Sequence, residues 1–186
     1  MNIQFIMSFF FINKNKHKAE GVNIGFVFGK KKMCAEVSFM PSCTYSLSKN
    51  YDQINKLFGV STSWLPFIDK SGFHPPHHKN SVRFGWRCID GENIEVLAYI
   101  YVNKERIHKV IETCLPGDTL RLSLEIDNND YLLKMVNMDG GSGLARVPSK
   151  RKNKRFFGYK LFPYFGGSVK APHDMLLLLK RIEKII

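Results

Sequence analysis

Histidine and tyrosine residues in two segments are the side chains best suited to proton transfer. His74, His77 and His78 lie together in a proline-rich stretch, and His173 lies near the C-terminal end. Imidazole titrates near neutral pH and can act as a general acid or base. One interpretation makes His77 or His173 a base and Tyr164 a proton donor to a leaving oxygen. The alternative treats both segments as a solvated loop and a turn.

The same histidines have few partners that would complete a metal site. Asp69 is the acidic residue close to them in sequence, and a zinc site needs about four ligands. The four cysteines lack the close spacing of a zinc motif and are too sparse for a disulfide framework. They are Cys34, Cys43, Cys88 and Cys114. We therefore predict reduced cysteines, no metal and no cofactor.

Arginine and tyrosine side chains form a second candidate site. Arg83 and Arg87 alternate with apolar residues on one predicted strand, and Tyr99 and Tyr101 stand on the polar face of the next. Cross-strand neighbours lie about 5 Å apart, and such a surface suits carboxylates, phosphates or sugar rings. The alternative is cation–π packing that only stabilises the sheet. The predicted ligand-binding set is Arg83, Arg87, Tyr99, Tyr101, His77 and His78.

A net charge of +12 and a pI of about 9.6 favour anionic partners. From residue 140 to residue 173 there is no acidic side chain. A basic cluster in this stretch offers a nucleic-acid contact through Lys150, Arg151, Lys152, Lys154 and Arg155. No nucleic-acid-binding module is recognisable around it, so a solvated loop is the alternative.

Period-two alternation of apolar residues recurs along the chain and predicts strands. Residues 120–127 alternate most cleanly, and strands recur every 8–12 residues between Gly, Asn, Pro and Asp turns. This rhythm predicts an all-β sandwich or barrel. The stretch 62–80 is predicted to be a long loop, 106–113 a strand or a short helix, and 175–179 a central strand covered on both faces.

The chain divides into residues 1–20, an apolar and basic segment, and residues 21–186, a single β-sandwich domain. The apolar run near residue 1 is shorter than the roughly 20 residues of a membrane span. Its lysines follow the run instead of preceding it, unlike a signal peptide. A strand or a surface that packs on a partner fits better. Oligomerisation and location in the cytoplasm, at the cell surface or on a virion stay open.

Several segments share this strand rhythm and end in an aromatic hairpin. They are Val82–Arg87 with its following hairpin, Ile94–Val102, Leu120–Asp127, Tyr131–Met138, Gly158–Gly167 and Ala171–Asp174. Together they resemble bacterial concanavalin-A-like jelly-roll domains. The resemblance implies a two-sheet antiparallel jelly-roll sandwich of the kind found in lectins, laminin-G-like modules and polysaccharide-cleaving enzymes. It also implies a glycan site on the concave sheet or its edge loops. Arg83, His77 and Tyr164 are similar to residues of the alginate-lyase-like members.

Three functions follow in order of preference. The first is a non-catalytic binding module for a glycan or another anionic polymer, without a cofactor. The second is a lyase that cleaves acidic polysaccharide by β-elimination with His77 or His173, Tyr164 and Arg83. The third is a structural or assembly protein of virion type.

Overall fold

A computed structural model of the chain describes residues 3–21, 25–29, 32–46, 53–127, 129–149 and 157–184, with side chains described from residue 8 to residue 180. These residues form antiparallel strands and two short 3-10 helices, Pro41–Cys43 and Pro76–His78. None of the described helices is long and apolar enough to cross a bilayer. The strands are β1 (Ile3–Ile12), β2 (Phe26–Phe28), β3 (Lys32–Phe39), β4 (Asn55–Ser61), β5 (Phe67–Asp69), β6 (Gly72–His74), β7 (Ser81–Ile89), β8 (Asn93–Val102), β9 (Glu105–Cys114), β10 (Thr119–Ile126), β11 (Asp130–Asn137), β12 (Ser142–Pro148), β13 (Phe157–Leu161) and β14 (Met175–Lys184).

Twelve of these strands form two facing sheets. Sheet 1 has the order β1-β14-β3-β10-β11-β12, and sheet 2 has the order β2-β13-β4-β7-β8-β9. Strands β5 and β6 form a separate hairpin. Strands distant in sequence are neighbours in both sheets, which is how jelly rolls are wound. The predicted class, an all-β two-sheet antiparallel jelly-roll sandwich, is confirmed.

The hydrophobic core lies between the two sheets. Phe39 of β3 and Trp86 of β7 meet across the interior with their ring centroids 5.1 Å apart. Strand β10 buries alternate residues, as its pattern predicts, because successive strand side chains point to opposite faces. Each large side chain that is fully buried contributes about 1.5–3 kcal/mol. The alternation that selects these residues also leaves the other face of each sheet free for polar side chains.

Three local predictions require correction or a decision. The stretch 62–80 is not a loop throughout, since it contains the hairpin β5–β6 and the helical turn Pro76–His78. Residues 106–113 lie within strand β9, so the helical alternative is wrong. Strand β14 is internal to sheet 1, but only alternate residues from 175 to 179 are buried. Among the described residues, none therefore forms a second layer over its outer face.

The N-terminal residues are placed by pairing with later parts of the chain. Residues 3–12 form the edge strand β1 and pair with β14 along its length. They belong to the apolar and basic segment 1–20 of the sequence. Residues 13–21 then run beside the loop that follows β13. The amide of Phe165 donates to the His17 carbonyl oxygen at 2.7 Å, and the amide of Ala171 donates to that of Lys16 at 3.0 Å. This course brings residues 18–21 to the edge of sheet 2.

Candidate functional site

Sheet 2 carries a cleft of about 880 Å³ on the face that points away from sheet 1. Its floor comes from β4, β7 and β8, and one wall comes from the turn Pro76–His78. The opposite wall comes from residues 18–21 and from the loop after β13. We call this cavity the cleft. It joins parts of the chain that are more than a hundred residues apart.

Strand alternation places the polar side chains of β7 and β8 in the cleft. Arg83 lies opposite Tyr99, and Ser81 lies opposite Tyr101. Val82 points the other way and is fully buried in the core. Because successive side chains face opposite sides, the Arg/Tyr surface is the outer face of sheet 2. The structure thus brings Arg83, Tyr99 and Tyr101 together.

A bulge in β4 adds a lysine to this face. Lys56 pairs with Gly85, whereas Gly59 pairs with Arg83, and the register shifts between them. Residues three apart would face opposite sides in a regular strand, so the extra residue of the bulge turns Lys56 toward the cleft. A Cβ on Gly59 would lie 2.2 Å from the Cβ of Arg83. Glycine at this position therefore lets β4 approach β7 closely beside Arg83.

Lys56 is a buried amine in a cationic environment. Its Nζ donates a hydrogen bond of 2.5 Å to the carbonyl oxygen of Gly166 and lies 5.3 Å from the centre of the Tyr99 ring. Burial first, and then the charges of Arg83 and Arg106, lower the pKa of Lys56 to about 7. Near neutral pH a large fraction of this amine is uncharged and can accept a proton.

Arg83 is the most deeply buried cation of the cleft, with 6% of its surface exposed. Its guanidinium lies 5.1 Å from the centre of the Tyr99 ring. Burial lowers the pKa of Arg83 to about 10, which leaves the group charged at neutral pH. Its Nε finds no hydrogen-bond partner among the described residues, and none of the described residues lining the cleft is a carboxylate. A buried cation without a counter-charge is costly, so an anion bound on the cleft side of the guanidinium would lower that cost.

The two histidines of the helical turn stand over the cleft. His77 Nδ1 lies 2.7 Å from the hydroxyl oxygen of Tyr159, and the His78 ring stacks on Tyr101 at 5.1 Å. Burial, and then the charge of Arg83, lower the pKa of His77 to about 3. The same causes lower the pKa of His78. His77 is therefore a neutral hydrogen-bonding group at physiological pH.

Tyr164 forms the opposite wall through backbone pairing with β4. The amide of Lys56 donates to the Tyr164 carbonyl oxygen at 2.8 Å, and the amide of Tyr164 donates back at 3.0 Å. The Tyr164 ring stacks on His17 at 5.1 Å with an angle of 7° between the planes. Lys56 Nζ lies 5.8 Å from the centre of the Tyr164 ring. The Lys56 amine and the Tyr164 ring therefore lie next to each other in the cleft.

Two residues of the predicted site lie elsewhere. Arg87 points to the same side of sheet 2 as Arg83, but its Nε is 2.6 Å from a carboxylate oxygen of Glu95 and it does not line the cleft. His173 is exposed, and its Nε2 lies 2.9 Å from the carbonyl oxygen of Ser42. His173 therefore lies away from His77 and the cleft, because the turn before β14 packs against the 3-10 helix at Pro41–Cys43. The basic cluster at 150–155 lies outside the described residues.

His74, the third histidine of the proline-rich stretch, belongs to a surface cluster whose polar groups are hydrogen-bonded to one another. Its Nε2 lies 3.0 Å from Asp69 Oδ1 and 2.8 Å from Ser71 Oγ. A catalytic triad needs the acid and the hydroxyl on different ring nitrogens, so this arrangement is not one. Among the described residues there is no group of three His, Cys, Asp or Glu side chains placed to hold a metal ion.

Sequence reasoning missed Lys56 and the lysines at the edges of the cleft. Lys56 sits in an apolar stretch, and alternation alone does not show its direction. The one available signal was Gly59, since glycine inside a strand often marks a bulge. The cationic lining that results comprises Lys18, Lys56, Arg83, Arg106 and Lys160. Together with the tyrosines, these groups can bind an anion and exchange protons with it.

Comparison with protein-family models finds no match, and comparison with curated proteins finds none. Solved structures do match in fold. An alginate lyase from a Chlorella virus superimposes with a TM-score of 0.54 at 12% identity, covering 95% of this chain and 84% of that one. An alginate lyase from Klebsiella pneumoniae gives a TM-score of 0.55 at 10% identity, covering 82% of this chain and 58% of that enzyme. At these identities the likeness shows the fold, and the predicted resemblance to jelly-roll sandwiches is confirmed at that level.

Proposed function

We propose that the cleft binds an acidic polysaccharide and cleaves it by β-elimination. The observation that carries this proposal is the presence in one cleft of two buried cations with different acidities. Arg83 stays charged and has no carboxylate among the described lining residues, whereas burial lowers the pKa of Lys56 to about 7. One group suits the binding of a carboxylate and the other suits the removal of a proton.

Arg83 supports the choice of an acidic sugar. Its planar guanidinium can donate two parallel hydrogen bonds to a carboxylate. Arg106 and Lys18 line the outer part of the cleft and add positive charge there. A neutral sugar would leave the buried charge without compensation, at a cost in affinity. A uronate residue, which carries its carboxylate on the ring, satisfies this requirement.

The reaction follows from the acidity of the carbon beside that carboxylate. When Arg83 neutralises the carboxylate, the proton on C5 of the ring becomes easier to remove. The neutral amine of Lys56 takes this proton, the C5 electron pair forms a C4=C5 double bond, and the C4–O bond to the next sugar breaks. Tyr164 donates its phenolic proton to the departing oxygen. The products are an unsaturated uronate and a new hydroxyl end, with no water consumed.

The chemistry of the lining disfavours hydrolysis. Glycoside hydrolases generally use a pair of carboxyl groups, and the described lining residues include none. The two solved structures described above are named alginate lyases, and alginate is a polymer of uronates. That name belongs to those proteins, and it agrees with the reaction that the Lys56 and Arg83 geometry suggests here. Sequence reasoning favoured binding without catalysis; the lowered pKa of the Lys56 amine is the reason to propose catalysis as well.

The proposal is tested by incubating the protein with alginate, polygalacturonate and polyglucuronate. We expect a rise in the ultraviolet absorbance of unsaturated uronate with at least one polymer. Lys56→Met and Tyr164→Phe should each reduce the rate by about 10²–10⁴. The matched control, Phe9→Ala on the exposed side of sheet 1, should retain it, since Phe9 is 64% exposed there. Binding without turnover would support a binding module instead, and saturated products would contradict elimination.

A further inference from the structure

An exposed patch of aromatic rings lies at the edge of sheet 2, outside the cleft. We call it the aromatic platform and define it as Phe26, Phe28, Trp64 and Phe157. Ring centroids lie 4.6 Å apart for Phe28 and Phe157 and 4.3 Å apart for Trp64 and Phe157. Phe26 is 55% exposed, Phe28 is 76% exposed and Trp64 is 46% exposed. These rings pack on one another and leave broad apolar surface in contact with solvent.

The aromatic platform and the cleft occupy the same face of the same sheet. Residues directly opposite one another in paired strands point to the same side. A row of such partners crosses sheet 2 from β2 to β8 and comprises Phe26, Tyr159, Ser61, Ser81 and Tyr101. From β2 to β7 there are three strand spacings, or about 14 Å. A single extended polymer can therefore lie over both regions.

The shape of the aromatic platform suits a sugar ring. The Phe26 and Phe157 rings stack with their centroids 6.0 Å apart and 14° between their planes, whereas the Phe28 and Trp64 rings are tilted against Phe157 by 44° and 55°. A pyranose ring has an apolar C–H face and polar edges, so its face can cover an aromatic ring while its hydroxyl groups remain in water. Val27, between Phe26 and Phe28, supplies the core contact of β2 and is 4% exposed. Packing of β2 on the core therefore does not require the two phenylalanines.

We propose that the aromatic platform holds sugar residues of the same polysaccharide chain whose acidic residue occupies the cleft. This inference rests on the proposed function, because it takes the occupant of the cleft to be a polysaccharide. The hydrogen bond between His77, which lines the cleft, and Tyr159, which belongs to the connecting row, links the two regions. Short oligosaccharides fill the cleft alone, and longer chains gain affinity by reaching the aromatic platform.

The test compares chain lengths in native protein, in Phe28→Ala, in Phe26→Ala/Phe28→Ala and in the control Phe9→Ala. Phe9 is a matched choice because it is an exposed phenylalanine on the edge strand of the other sheet. The probes are alginate, polygalacturonate and polyglucuronate, each intact and as size-fractionated oligosaccharides. Affinity is measured by calorimetry on Lys56→Met backgrounds, so that turnover does not consume the probe, and Tm is measured for every variant.

We expect the double variant to lose about tenfold in affinity for long chains and nothing for oligosaccharides that fit the cleft. Phe28→Ala should lose part of the extra affinity that long chains have over short ones, and Phe9→Ala should lose none of it. Retention of the full length dependence by a folded double variant overturns the inference while leaving the proposed function intact. Failure of all polymers to bind overturns both. A native dimer that the double variant converts to monomer also overturns the inference, because the aromatic platform would then serve self-association.

Discussion

Arg83 and Arg87 lie four residues apart on one strand and point to the same side of sheet 2, yet their surroundings differ. Arg87 forms an ion pair with Glu95, the residue opposite it on β8. Arg83 lies opposite Tyr99, and Lys56 approaches from the other side. One end of the sheet face therefore has balanced charge, and the other has an excess of buried positive charge.

This difference shows how the same residue type serves structure at one position and a candidate site at another. A buried ion pair satisfies both partners within the protein. A buried cation without a counter-charge is unfavourable in the free protein and becomes favourable when an anion binds. The part of the sheet with unbalanced charge is accordingly the part that we assign to ligand. Four predictions examine this contrast, in order of decreasing effect.

The first prediction compares the two arginines directly. Arg83→Gln should reduce kcat/KM on the preferred uronate polymer by about 10³, because it removes the charge that stabilises the developing carbanion. Arg87→Gln should change kcat/KM by no more than about threefold, since surface or structural pairs act mainly on stability. Steady-state rates of unsaturated product formation measure both. Equal losses of kcat/KM in Arg83→Gln and Arg87→Gln would contradict the assignment of the site to the cleft around Arg83.

The second prediction concerns pH. The pKa of Lys56 is lowered to about 7, so its neutral, proton-accepting form dominates above that pH. We expect kcat/KM to fall about tenfold for each pH unit below 7. The pKa of His77 is lowered to about 3, so His77 as the base would give a flat profile over the same range. A flat profile between pH 5 and pH 8 would move the role of base from Lys56 to His77.

The third prediction concerns stability. Lys56 has a folded-state pKa of about 7 against an ordinary value of 10.5, so the unfolded state binds more protons between these values and stability rises with pH there. Below pH 7 the cost of burying the charge is complete. Lys56→Met should raise Tm by about 5 °C at pH 6 and have little effect near pH 10.5.

The comparison variant for Lys56→Met is Arg87→Met, which changes the arginine that has a carboxylate partner. It leaves the Glu95 carboxylate, which is 16% exposed, without its arginine and should lower Tm at neutral pH. Differential scanning calorimetry at several pH values measures both variants. A lower Tm for Lys56→Met at pH 6 would contradict the view that its charge is unfavourable in the free protein.

The fourth prediction is a small effect. His173→Ala should change kcat/KM by less than about twofold, because His173 lies at the Pro41–Cys43 helix and outside the cleft. Progress curves of the native and variant proteins at equal concentration provide the measurement. A loss as large as that expected for Tyr164→Phe would return His173 to the catalytic set.

The period-two alternation of apolar residues was sufficient to predict strands β7 and β8, which carry Arg83 and Tyr99. The patterns around Arg83 and Tyr99 gave the correct strand faces because those strands are regular and have one buried side. Strands β5 and β6 have three residues each, too few to show a period. The outer residues of β14 are leucines, so its apolar run looks like a strand buried on both faces although only alternate residues are buried.

The site was only partly predictable because it depends on one irregularity and on long-range packing. The bulge between Lys56 and Gly59 reverses the direction that simple alternation gives to Lys56. Whether His77 meets Tyr164 or His173 depends on loops that pair with distant strands, and local patterns do not report such pairings. Charge balance at Arg83 and Arg87 likewise depends on what faces them across the sheet.

The position of β14 has a consequence for folding kinetics. It lies between β1 and β3, so it joins the first described strand to the rest of sheet 1. In contrast, β7, β8 and β9 follow one another in sequence and pair as neighbours. Contacts between distant residues form slowly because closing a long loop costs chain entropy. The centre of sheet 2 should therefore form early, and insertion of β14 beside β1 should limit the rate of folding.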